Sequence, residues 1–211
     1  AGLYNAQVRK EKTLATLRGY DSVFDYLLDK QEVSRELYDR QIDVIMAELA
    51  PHMRRYAGLL QKAHGLKKMT YADLKIDLDP SYAPNITYSQ AKEYILNGLS
   101  VLGNDYNKML RAAFDDRWID YAENQGKSTG AFCASPYGHT SFILLSFNQK
   151  MNEVMTLAHE LGHAGHFQLA NSHQNILNAE CSLYFVESPS TTNEIIMENY
   201  LLKHAKDDRM K

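Results

Sequence analysis

The stretch "TLAHELGHAGHF", Thr156 to Phe167, decides how the rest of the chain is read. It carries three histidines and one glutamate within eight residues. His159 and His163 are four positions apart, and on an α-helix that spacing puts both side chains on one face, about 6 Å apart along the axis. Two imidazoles so placed can converge on one Zn2+ at about 2.0 to 2.1 Å each. Glu160 comes one position after the first imidazole, roughly 100° around the helix. It therefore stands beside such an ion rather than on it, where a base must be to take a proton from a metal-activated water.

HExxH on a helix is the pattern of zinc peptidases. His166 complicates the count, because it continues the same stripe but lies about 10 Å along the axis from His159. It cannot share an ion with His159 while the helix is intact. The longer pattern HExxHxxGxxH needs Gly where His166 stands and His where Leu169 stands, so that class is excluded. His166 is expected to be packed or hydrogen-bonded near the site, with a role behind the ligands or toward substrate as the sharper option.

A catalytic zinc takes three protein ligands and keeps one position open. Glu180, Glu187, Glu194 and Glu198 are all within reach of a following helix, and Glu187, Glu194 and Glu198 share a helical face. Spacing alone does not choose among them.

Outward from the motif, the 211 residues are 45% hydrophobic, with 23 Lys+Arg against 26 Asp+Glu and a formal charge of −3. The basic residues are scattered rather than gathered into a stripe, so nucleic acid is not expected as a partner. No apolar run approaches the roughly 18 to 20 residues a membrane span needs, and the N-terminus lacks a secretory pattern. A cytoplasmic setting is expected. Cys133 and Cys181 have no framework spacing and are expected as reduced thiols.

Periodicity predicts a mainly helical fold. Leu3–Leu17 and Ser22–Asp29 are short amphipathic segments divided at Gly19, and a long helix begins at Ser34, with Pro51 expected to kink or interrupt it. Residues 70–85 are a loop. A helix capped at Ser89 is expected to run to Gly103, and another from Asp105 to Glu123, with Phe114, Trp118 and Tyr121 as its core face. "GAFCASPYGHTSFILLSF", Gly130 to Phe147, has two β-rich runs around a Pro/Gly/His loop, which predicts a hairpin. His139 in its loop is expected to be solvated. The remainder returns to helix. The segments divide as a helical scaffold over 1–125, a hairpin over 126–150 and metal-binding helices over 151–211, within one body over 1–211.

"LAHELGHAGH" together with "YFVESPSTTNE", Tyr184 to Glu194, resembles the thimet oligopeptidase and oligoendopeptidase F family of zinc peptidases. "GKSTGAFC" with "SFILLSF" resembles that family's glycine-rich hairpin ahead of the zinc helix, and "KEKTLATLRGY" and "LKKMTYADL" its helical segments. The resemblance implies a zincin-like, mainly α catalytic domain and makes Glu187, which precedes Ser-Pro-Ser, the third ligand of the zinc. Asn193 and Glu194, just beyond, match the family's pattern as well, and Glu194 is expected to orient His159 or His163 by hydrogen bonding. The expected activity is endopeptidase cleavage of short peptides, with Glu160 as general base. The edge of the hairpin, Gly130, Ala131 and Phe132, is the expected place for an extended substrate backbone.

The family's proteins are much longer, and in them a segment well past the third ligand supplies Tyr and His groups toward substrate. Both ends of this sequence look cut from something larger, so the piece alone is expected to bind zinc and to be a weak or inactive peptidase. Two other classes remain open: a helical binding or scaffold domain whose zinc site is unused or structural, and a zinc amidohydrolase acting on a non-peptide substrate. Oligomeric state and side-chain preference are not legible.

Overall fold

In the computed structural model, which describes residues 1–79 and 81–210, helix α1 (Gly2–Leu17) stops ahead of Gly19. Ser22 and Ser34 then start α2 (Val23–Asp29) and α3 (Arg35–Ala63), each hydroxyl accepting the backbone N–H three residues on, from Asp25 and Leu37. These are ordinary N-caps, satisfying a donor that the first turn leaves unpaired. Tyr26 of α2 is buried edge-on against Tyr20 at 5.3 Å, with the Lys30 ammonium 4.2 Å from its ring centre.

The expected break at Pro51 does not occur, and α3 is continuous through it. Proline removes one N–H, which frees the carbonyl of Ala47 four residues back. Ala47 and its neighbours are exposed, so that carbonyl is not shut into an apolar interior, and the helix continues.

The chain forms two compact units, Ala1–Pro80 and Ser81–Lys211, divided inside the stretch expected as a loop. A short 3₁₀ turn, Ala72–Lys75, is the regular structure within that loop. The second unit begins with α4 (Tyr88–Gly98), whose N-cap is Thr87 rather than Ser89. Thr87 Oγ1 accepts Gln90 N–H at 3.3 Å, and Gln90 Oε1 accepts Thr87 N–H at 2.8 Å, a reciprocal capping box. Ser89 lies inside the first turn. A 3₁₀ turn, Leu99–Leu102, carries the chain on to Gly103.

α5 (Asn104–Asp115) is shorter than expected. Arg117 adopts a left-handed φ of 60°, and Trp118 N–H turns back to the Ala113 carbonyl at 3.1 Å. The next residues form strand β1 (Ile119–Asp120) instead of more helix. Trp118 is buried, but outside the helix, and Phe114 is half-buried at its end. Tyr121 is 40% exposed and stacks on Tyr88 at 3.7 Å, so it is not the core residue expected.

The hairpin is present as β2 (Ala131–Ala134) and β3 (Phe142–Leu145), antiparallel, with Phe132 opposite Leu144 and Ala134 opposite Phe142. β1 pairs with β3 in parallel, so the strand order is β1-β3-β2 and β2 is an edge. Ahead of β2, the Lys127 ammonium donates to the Asp120 and Ala122 carbonyls and to the Asp120 carboxylate, which uses all three of its donors.

Helix α6 (Met151–His173) lies at the centre of this unit, touching α4, α5, β2, β3 and α7 (Glu187–His204). Its buried stripe, Val154, Leu157, Ala158, Leu161 and Ala164, recurs at helical spacing. It packs with Ile95, Leu99, Leu110, Ile143, Leu145 and Met197 into one core. The fold is mainly α, with a small sheet ahead of the histidine helix. No helix among the described residues is long and apolar enough to cross a membrane.

The capping box gives a direct stability test. Thr87→Ala is expected to cost about 1 kcal/mol in urea unfolding, whereas Ser89→Ala, at an exposed position, should stay within about 0.5 kcal/mol of the parent.

Candidate metal centre

His159 and His163 stand one turn apart on α6, and Glu187 is the first residue of α7. The three are brought together by a close approach of the two helices at Gly162. A Cβ on Gly162 would lie 2.6 Å from Ser190 Cα and 2.8 Å from the Pro189 carbonyl oxygen. A hydrogen is therefore the largest group the position tolerates. One turn on, Gly165 faces the ring of Tyr106 in the same way, a Cβ there reaching 2.5 Å from a ring carbon.

A buried polar lock completes the junction. Asn193, 1% exposed, donates through Nδ2 to the Ala158 carbonyl at 2.9 Å and to the Tyr106 hydroxyl at 2.9 Å. Tyr106 on α5, Ala158 on α6 and Asn193 on α7 are thereby tied together, and burial pushes the Tyr106 phenol above its ordinary range.

The ligand atoms form a small triangle. His159 Nε2 and His163 Nε2 are 3.1 Å apart, and Glu187 Oε2 is 3.2 Å from the first and 3.3 Å from the second. Three atoms bound at about 2.0 to 2.1 Å with tetrahedral angles would be about 3.3 Å apart. The triangle thus fits one small tetrahedral cation without rearrangement, and these three side chains are the cluster of possible metal ligands among the described residues. Two imidazole nitrogens and one carboxylate oxygen form a donor set suited to Zn2+.

His159 has a carboxylate behind it. His159 Nδ1 is 2.5 Å from Glu194 Oε1, which turns Nε2 toward the triangle. His163 is buried, with its Nδ1 enclosed beside the Val186 backbone. Burial lowers its affinity for a proton, Glu187 opposes that, and His159 and His166 reinforce it, so the direction favours the neutral imidazole a metal requires.

Glu160 is buried beside the triangle. Burial pushes its carboxyl above the usual carboxylate range, with His159 opposing and Glu187 adding to the rise. Its side of the site opens into a cavity of about 460 Å³ lined by Ala131, Asn152, Met155, Thr156, His159 and Glu194 besides Glu160 itself.

His166 stays outside the triangle, half-buried, with its ring edge-on to Phe185 at 6.2 Å and its Nδ1 buried without a partner. Burial lowers its pKa. Among the other glutamates weighed from sequence, Glu180 and Glu198 are not in the cluster either.

The edge of β2 can be assigned atom by atom. Ile143 N–H donates to the Trp118 carbonyl at 2.8 Å, toward β1. Successive residues of a strand point their N–H and C=O groups to alternate sides, so Phe142 and Leu144 face β2. Their partners Ala134 and Phe132 are hydrogen-bonded inward, and Ala131 and Cys133 direct their main-chain groups to the free edge. Gly130, with φ 96°, leads into the strand. The Phe132 side chain is 54% exposed and lines a second cleft, with Tyr88 and Phe142. His139 is exposed, and its carbonyl accepts a hydrogen bond from Gln168 on α6.

Ser190 and Tyr106 are not legible from sequence as parts of the centre, and Asn193 is legible only through the resemblance, without its locking contacts. A signal was present for the junction, because two glycines inside one helix cost about 1 kcal/mol each against alanine and so mark a close approach.

The model of peptidase family M3 matches residues 2–211. The oligopeptidase PepF of Bacillus subtilis is 32% identical over 204 residues, which are 97% of this chain and 30% of that protein. An oligoendopeptidase F homolog of Lactococcus lactis subsp. lactis is 31% identical over 202 residues, 96% of this chain and 33% of its own. The chain therefore spans about a third of the length of these relatives. The solved structure of PZ peptidase A with inhibitor 2 superposes with a TM-score of 0.78 at 16% identity, over 94% of this chain and 36% of that one.

Two tests follow from the geometry. Gly162→Ala is expected to push the first turn of α7 off α6, costing about 1 to 3 kcal/mol of stability and weakening metal uptake in a competition titration. Burial raises the Cys133 thiol to about 11. At neutral pH it should therefore label very slowly with iodoacetamide, the rate rising about tenfold per pH unit until near pH 11, because only the thiolate reacts.

Proposed function

This chain belongs to peptidase family M3, and on that premise we propose that it forms the metal-binding catalytic part of a zinc-dependent endopeptidase acting on short peptides. The observation that supports this most is the triangle of His159 Nε2, His163 Nε2 and Glu187 Oε2, with sides of 3.1 to 3.3 Å and a buried carboxylate beside it. A structural metal site has no use for Glu160.

His159, His163 and Glu187 are the residues that hold the ion. When bound, Zn2+ supplies Lewis-acid activation of a water molecule and of the scissile carbonyl. Glu160 takes the proton from the attacking water and delivers it to the departing amine nitrogen. Its burial raises its proton affinity and so suits both halves of that transfer. Glu194 holds His159 in the tautomer that presents Nε2. His166 lies outside the ion's reach and supports the wall of the site.

The substrate backbone lies in extended form along β2. Ala131 and Cys133 offer their N–H and C=O groups to it, Gly130 leads in, and Phe132 is held inward by β3. Pairing through main-chain groups binds peptides with little demand on side chains.

The 211 residues span about a third of the length of these relatives, and metal binding and peptide hydrolysis by them are both parts of the proposal.

The decisive variant is Glu160→Gln. It should keep one equivalent of zinc by metal analysis while peptide hydrolysis falls by about 10²- to 10⁴-fold. The assay uses the chain itself, or, where its turnover is too slow to follow, a chimera in which these residues replace the matching part of the Bacillus subtilis oligopeptidase. Full hydrolysis by the zinc-loaded variant would refute Glu160 as the base.

A further inference from the structure

Glu187 Oε2 has a third neighbour besides the two imidazoles. Ser190, wholly buried one turn along α7, has its Oγ 2.9 Å from Glu187 Oε2 and 2.9 Å from the Glu187 backbone carbonyl, so its single proton can go to either acceptor. A serine that only bonds the carbonyl a turn back is common in helices and does nothing for its neighbours. Here the carboxylate oxygen it reaches is the one that faces His159 and His163. Glu187 is otherwise poorly restrained, since its side chain is 63% exposed and sits at the first residue of its helix.

We propose that Ser190 is a positioning residue that fixes the Glu187 carboxylate so that it meets the metal through Oε2 alone. The inference rests on the reading of His159, His163 and Glu187 as the metal site. A carboxylate oxygen has two lone-pair directions. With Ser190 Oγ–H on one and the triangle's centre on the other, the carboxylate cannot rotate to bring Oε1 to the ion without breaking the hydrogen bond. A bidentate Glu187 would add a fifth bond and crowd the position that a catalytic zinc leaves open to water, so a single hydroxyl keeps the ion four-coordinate. The backbone approach at Gly162 keeps Ser190 in place, because its Cα and N are the atoms a Cβ on Gly162 would strike.

The experiment uses the 211-residue chain and needs no catalysis. Zn2+ affinity is measured by competition with a chromophoric chelator, and the electronic spectrum of the Co2+-loaded chain reports coordination number, four-coordinate Co2+ absorbing more strongly than five-coordinate. Ser190→Ala is expected to weaken Zn2+ binding by about 10- to 100-fold and to shift the Co2+ spectrum toward the weaker five-coordinate form, with the melting temperature of the metal-free chain little changed. Ser190→Cys, a weaker donor of similar size, should fall between and serves as the second variant if Ser190→Ala does not fold. In a Glu187→Ala background, Ser190→Ala should have no further effect on affinity. Equal affinities and identical Co2+ spectra for the parent and the variants would overturn the role of Ser190 alone, as would an effect that persists without Glu187. A parent chain that takes up no Zn2+ or Co2+ would overturn the metal site itself, and the role of Ser190 with it.

Discussion

The centre depends on two helix backbones coming closer than any side chain allows. At Gly162 the first turn of α7 rests almost directly on α6, and that contact brings a carboxylate from one helix to two imidazoles of the other. Helices normally pack with their axes 8 to 10 Å apart because side chains intervene. Removing the Cβ at one position lets Glu187, on a side chain of modest length, span the gap. The lock of Asn193 with Ala158 and Tyr106 holds the approach, and its polar atoms are bonded as buried groups must be. The geometry of the proposed metal centre is thus a property of the helix junction before it is a property of the three side chains.

How much of this was legible depended on whether the governing contact was local. His159, His163 and Glu160 are set by the rotation of one helix, and a four-residue spacing expresses that fully. The choice among Glu187, Glu194 and Glu198 was different, since spacings of seven and eleven put all three on one face. What separates them is where α7 begins relative to α6, a tertiary fact that only the resemblance to a known family anticipated. The structure brings Glu187 to the imidazole Nε2 atoms and Glu194 to His159 Nδ1. Ser190 was invisible for the same reason.

The errors along the chain have particular causes. Thr87 and Ser89 are both good caps by type, but only Thr87 has Gln90 three positions on, so the capping box rather than the residue type marks the helix start. The early end of α5 had no such mark, because the left-handed residue that turns the chain is Arg117 rather than glycine. β1 is two residues long and exists through its pairing with β3, which gives periodicity nothing to register. Pro51 stays within α3 where the residues around the freed Ala47 carbonyl are exposed, and exposure is decided by packing, not by the proline four residues on.

Three glutamates within 35 residues illustrate how surroundings assign work to identical groups. Glu160 is buried, and desolvation raises its hold on a proton, which suits a group that must receive one and give it back. Glu194 lies 2.5 Å from the His159 ring nitrogen that is turned away from the triangle, and the role proposed for it, holding that ring in place, does not call for burial. Glu187 is the most exposed of the three and the one whose oxygen faces both Nε2 atoms. A carboxylate that is to hold a cation does not need burial to bring it there, since the cation compensates its charge. It needs direction, and in this chain direction comes from a hydroxyl one turn away and from the absence of a methyl group on the opposite helix.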